Sequence, residues 1–142
     1  MTVSAGYPRG DLMSCNCPSR SVLKHVTSQW GFLVLIGLEA GTLRFSAIRR
    51  MVGGVSERML AQTLRNLEHD GLVDRVAFDV VPPHVEYSLT PLGVGAAAKV
   101  RELADWIEGS LPAMAATWSA QAADSAPRVG SVAEIARAHR HS

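Results

Sequence analysis

Only two cysteines occur in the chain, Cys15 and Cys17, and a single residue separates them. So short a loop makes no ordinary structural staple, and so few thiols fit a reducing compartment. Long apolar runs are lacking too. The longest, Gly31 to Leu38, is well short of the roughly 18 residues that a membrane span requires, and it predicts a buried helix. Met1 to Ser14 is small and polar, without a positive start leading into an apolar stretch. No secretion signal is read there, and the cytoplasm is the expected compartment. Signatures of catalysis are missing: there is no nucleophile elbow, no Gly-rich phosphate loop and no carboxylate pair in a recognisable setting. No catalytic residue and no cofactor is therefore expected. Cys15, Cys17 and His25 could in principle meet on zinc, but no second paired ligand spacing supports a metal site. His139-Arg140-His141 reads as a solvated tail, and no internal repeat is present.

What the chain does contain is enough apolar material for a core, 47% of 142 residues, which suits one domain plus tails without disulfides or a structural metal. Its net charge is only +1, yet the charges are unevenly distributed. Leu43 to Arg65 holds Arg44, Arg49, Arg50, Arg58 and Arg65 against the single acid Glu57. Asn66 to Leu111 holds eight acids against Arg75, Lys99 and Arg101. A basic block beside an acidic one fits a surface that docks on phosphates from one side. On charge alone, chance clustering on solvated faces explains it equally well.

The periodicity predicts a first helix from Pro18 to Thr27 and a second, apolar nearly all round, from Trp30 to Ala40, ended by Gly41. Leu43 to Phe45 is read as a short extended piece. Ser46 is expected to cap a third helix reaching Met51. After the Gly53-Gly54 turn, Ser56 is expected to cap a fourth helix that Gly71 ends near Asp70. Two strands follow, Asp74 to Phe78 and His84 to Leu89, with Val85, Tyr87 and Leu89 on one face. Thr90-Pro91 opens a fifth helix reaching Ser110, with Pro112 expected to interrupt it. The fold class expected is mainly α with a small β-hairpin wing, a winged helix-turn-helix. Residues 1–16 read as a flexible arm, 17–111 as the domain with terminal dimerisation helices, and 112–142 as a short helical extension with a disordered tail.

The fourth helix carries the functional signal. On a helical wheel Leu60, Leu64 and Leu67 fall together, and Arg58, Gln62, Arg65 and His69 fall opposite. Three leucines would anchor the helix while long polar side chains enter the major groove of duplex DNA. Arginine can bond the two acceptors of guanine, and glutamine the donor and acceptor of adenine. Arg58 and Gln62 are the expected base readers, with Met59 beside them and Ser56 and Thr63 near the DNA backbone. Arg49, Arg50 and Arg65 are placed for phosphates, joined by Arg44. The hairpin tip, Asp79 to His84, would be the wing, where Arg75 and His84 are the available cations. Any amphipathic surface helix or exposed loop presents similar polar residues, so the order of elements is what raises the DNA reading.

Several stretches resemble the HxlR-type regulators: Cys17-Pro18 followed by Trp30, then Leu43 to Ile48, then Val55 to Leu60, and above all Leu67 to Val73 and Val81 to Gly93. The resemblance covers Cys17 to Leu111. It implies a homodimeric winged-helix repressor or activator that pairs through its first and last helices, here Pro18–Thr27 and Pro91–Leu111, and sometimes answers to electrophiles, oxidants or aldehydes. A two-fold dimer would read a near-palindromic operator. Ser28-Gln29-Trp30-Gly31 departs from the family's Gly-Lys-Trp-Thr, and the absent lysine would weaken a phosphate contact. His84 stands where arginine is common.

Cys17 matches the family's N-terminal cysteine. Beside a helix start, the dipole would favour its thiolate, suited to an electrophile or to a bridge between protomers. Cys15 is the candidate resolving thiol, although an internal bridge over one residue would be strained. Simple packing of Cys17 as a small apolar residue is the alternative. A small inducer bound between the second and fifth helices, in a pocket lined by Trp30, Phe32 and Trp106, is the other reading, unless these aromatics are plain core. An adaptor module docking on an acidic partner and a thiol-based enzyme are the readings from other classes. The arginine block argues against the first, and no candidate base supports the second.

Overall fold

The computed structural model describes residues 8–125. Helix α1 spans Ser19–Thr27 and α2 Gln29–Gly37, followed by a 3-10 turn at Leu38–Ala40; β1 is Leu43–Arg44, α3 Phe45–Met51 and α4 Glu57–His69. Strands β2 (Val73–Phe78) and β3 (His84–Leu89) precede α5, Pro91–Ser125. The three strands form one antiparallel sheet in the order β1-β3-β2. Among the described residues no helix is long and apolar enough to cross a membrane. The chain falls into two compact units, one through Glu102 and one from Leu103.

Local chemistry explains most boundaries of the first unit. Ser28 starts α2 by accepting the Gly31 amide at 3.2 Å, one residue earlier than the periodicity predicted. Ser56 starts α4 by accepting the Met59 amide at 3.1 Å, as expected of a hydroxyl at that position. Gly71 ends α4 with φ +80°, and the Leu72 amide donates back to the Leu67 carbonyl at 2.9 Å. Thr90 accepts the Gly93 amide at 3.0 Å and so opens α5. Ser46 does not cap α3: the helix begins at Phe45, Arg44 is its cap residue, and no side chain bonds there.

The core of this unit is built from Val34, Leu35 and Leu38, Ile48, Val52 and Val55, the three leucines of α4, and Leu72, Val73, Tyr87, Ala97 and Val100. Val85 and Leu89 pack against it from the same face of β3 as Tyr87. Register pairs Val73 with Leu89 and Phe78 with His84, leaving Asp79–Pro83 as the wing loop.

The second unit differs from expectation at Pro112, which does not stop the helix. α5 runs on to Ser125 with Pro112 inside it. The proline forfeits one amide bond, but the strong helix formers Ala113, Ala115 and Ala116 follow at once, and Thr117 donates its hydroxyl to the Ala113 carbonyl at 3.1 Å. Leu103, Trp106, Ile107, Leu111 and Trp118 are exposed apolar side chains of this segment. Residues 1–7 of the expected arm and 126–142 of the expected tail lie outside the described residues.

Candidate nucleic-acid interface

The two faces of α4 are separated as the helical wheel requires. Leu60, Leu64 and Leu67 are 0%, 1% and 0% exposed, while Arg58, Gln62, Arg65 and His69 are all exposed. Ser56 and Met59 also stand at the surface at the start of the helix. Thr63 does not. Expected near the DNA backbone, it is buried, and its hydroxyl donates to the Met59 carbonyl at 2.7 Å. The reason lies in spacing: Thr63 sits three residues after Leu60 and four before Leu67, so it turns with the leucines.

The polar face has its own order. Arg65 donates to Gln62 Oε1 at 3.1 Å, and Gln62 Nε2 donates to Asn66 Oδ1 at 3.0 Å. Gln62 therefore has its amide held in one orientation, an arrangement that sequence reasoning missed although the i, i+3 and i, i+4 spacings carry its signal. No side-chain partner holds Arg58 among the described residues. Arg49 lies 3.4 Å from Glu57, the one acid in the arginine block. Phe45, Ser46, Arg49, Arg50 and Glu57 line an open cleft of about 340 Å³ between α3 and the start of α4. Arg44 is exposed on β1, where it pairs in register with Glu86, and Arg75 is exposed on β2 opposite Tyr87.

His84 requires a correction. It begins β3 as expected, but it is not a free cation at the tip. Its ring stacks on Phe78 with centroids 4.8 Å apart, and its Nε2 lies 3.0 Å from Glu86 Oε2. The register places Phe78 opposite it and Glu86 two residues on, on the same face, so the ring already has a stacking and a hydrogen-bonding partner. The wing loop exposes Val80 and Val81 instead.

Cys17 lies just before the first turn of α1, and Cys15 is exposed. The Ser19 hydroxyl donates to the Cys17 sulfur at 3.0 Å and the Asp11 amide at 3.3 Å. These bonds, the Ser19 hydroxyl first, hold its pKa below that of an ordinary thiol. Hydrogen bonding thus supplies what was expected from the helix dipole. Ser19→Ala is expected to move the midpoint of Cys17 alkylation by iodoacetamide to higher pH. Peptide mass spectrometry over a pH series reads that shift, with Cys15 as internal control. His25 does not join the cysteines, because its ring is bonded to Asp70. Among the described residues no three His, Cys, Asp or Glu side chains gather as a metal site. Trp30 and Phe32 pack against the core of the first unit, and Trp106 is exposed on the second.

Comparison with known proteins gives a consistent result. Residues 25–115 match the family described as HxlR-like helix-turn-helix. The chain is 56% identical over 123 residues to YtfH of Escherichia coli K12, described as an uncharacterized HTH-type transcriptional regulator, covering 87% of this chain and 98% of that protein. Among solved structures, the transcriptional regulator ytfH of Salmonella typhimurium superposes with a TM-score of 0.75 at 59% identity, covering 78% of this chain and 99% of the other. The redox regulator HypR in its reduced form gives 0.63 at 32% identity, covering 70% and 98%.

Proposed function

Because this chain belongs to the HxlR-like helix-turn-helix family and is a transcriptional regulator of the helix-turn-helix type, we propose that it acts as a homodimer, without catalysis, by binding a near-palindromic operator in duplex DNA. The observation that carries this reading is the division of α4. Three buried leucines hold the helix, and Arg58 and Gln62 project from the opposite face. Arg58 reads a guanine and Gln62 an adenine, while Arg44, Arg49, Arg50, Arg65 and Arg75 supply phosphate contacts. Two copies pair through α1 and α5, which carry exposed apolar residues such as Val22, Leu23, Leu92 and Trp106.

Selection of bound duplexes from a random pool tests this directly, and a palindromic consensus is expected. Arg58→Ala is then expected to lose about 5- to 150-fold in preference for the consensus over a mismatched duplex, as loss of a bidentate base contact implies. Unchanged preference would remove Arg58 from the readout.

We further propose that Cys17 makes the regulator responsive to oxidants or electrophiles. Its lowered pKa supports this reading, as does the likeness to a protein titled a redox regulator. Diamide or methylglyoxal is expected to weaken operator binding by the wild-type chain and to leave Cys17→Ser unaffected. Equal loss in both proteins sinks the thiol model.

A further inference from the structure

One buried carboxylate takes no part in the DNA contacts. Asp70 closes the C-terminal end of α4 with a side chain only 4% exposed. The Nδ1–H of His25, on α1, donates to its Oδ2 over 2.7 Å. The exposed ring of His69 lies 3.6 Å from the other oxygen. A carboxylate removed from water is costly unless well bonded, so the His25 contact is what makes Asp70 tolerable there. Among the described residues it is also the only side-chain hydrogen bond from α1 to the α4 corner.

That corner is tied on other sides as well. The Thr90 hydroxyl donates to the Gly71 carbonyl at 2.6 Å, and the Thr90 amide to the Leu72 carbonyl at 3.1 Å. The start of α5 is therefore fastened to the Gly71–Leu72 link that follows α4, and His25 fastens α1 to Asp70 just before it. Leucine packing resists separation but is weakly directional, whereas a short hydrogen bond fixes direction and register. Arg58 stands twelve residues before Asp70 on the same helix, roughly 18 Å along its axis. A tilt of about 5° at the corner moves Arg58 by roughly 1.5 Å over that length, beyond the approximately 0.5 Å that a preorganised contact tolerates.

We propose that His25 is a positioning residue for DNA recognition: through Asp70 it sets α4 on α1, and so sets where Arg58 and Gln62 meet the bases. The inference rests on the DNA-binding reading above. The test uses the full chain, the selected consensus duplex and a scrambled duplex, with affinities from fluorescence anisotropy. His25→Ala is expected to reduce the consensus-to-scrambled affinity ratio about tenfold, because the base contacts lose their alignment while the phosphate contacts persist. Partial unfolding lowers both affinities together and leaves the ratio alone. His25→Asn, which returns a donor near the Nδ1 position, is expected to recover most of the ratio.

His25→Ala leaves Asp70 with only the more distant His69 ring beside it, so the double variant His25→Ala with Asp70→Asn removes the poorly bonded charge. It is expected to fold and still show the reduced ratio. A wild-type ratio in either variant overturns the proposal, as does a His25→Asn ratio no better than that of His25→Ala. A wild-type chain without preference for any duplex overturns the DNA-binding reading itself, and the inference with it.

Discussion

Leu64→Ala is expected to lower folding stability by about 2–5 kcal/mol, read as a lower urea midpoint with an unchanged slope. Leu64 is 1% exposed between Leu60 and Leu67, each wholly buried, in the middle of the helix that seats the proposed base readers. Truncation removes the transfer free energy of the lost methyl groups and leaves a void that close-packed neighbours fill only in part. Small domains have a total of about 5–15 kcal/mol, so a large fraction would go. Leu64→Met, which keeps the volume, is expected to stay within about 1.5 kcal/mol of wild type. If Leu64→Ala fell within that same range, α4 would not be anchored by its leucines, and the division of its faces would lose its meaning.

Gly93→Ala is expected to cost about 3 kcal/mol, whereas Gly95→Ala, two residues along the same helix, is expected to stabilise by about 0.5–1 kcal/mol. A Cβ at Gly93 would overlap the carbonyl oxygen of Leu72, and at Gly95 it would meet nothing within 4 Å. The obstacle at Gly93 is backbone, so no rotamer change relieves it. The displaced atom belongs to the corner where Thr90 bonds Gly71 and Leu72. Both substitutions improve helix propensity equally, so their difference isolates the close approach. Denaturant titration of the two variants side by side measures it, and equal midpoints would mean that α5 starts farther from Leu72.

The helix-turn-helix order was legible because its punctuation is local. Ser56 and Thr90 accept amides three residues on and Gly71 takes the positive φ that ends α4, and the leucine stripe of α4 follows from a single period. Thr63 departs from its expected place near the DNA backbone because its spacing from Leu60 and Leu67 turns it inward with the leucines. His84 stands at the expected strand start, yet its ring is already engaged. A histidine two residues from a glutamate on one face of a strand has a partner at hand, and the phenylalanine across the register could be known only with the pairing. Pro112 illustrates a different failure, in which a strong local breaker is outweighed by the alanine-rich sequence after it. The His25–Asp70 bond spans 45 residues and belongs to two separately read helices, so no window of sequence contains it.

The order β1-β3-β2 has a consequence for how the protein behaves at high concentration. Among the described residues β3 lies between two neighbours, but β2 pairs on one side only, so the other side of Val73–Phe78 is an edge with outward amides and carbonyls. Such a rim is a template on which an additional strand from another molecule can assemble. Adjacent Asp74 and Arg75 put opposite charges along it, which disfavours in-register stacking of apolar strands and helps keep the hairpin from seeding fibrous growth.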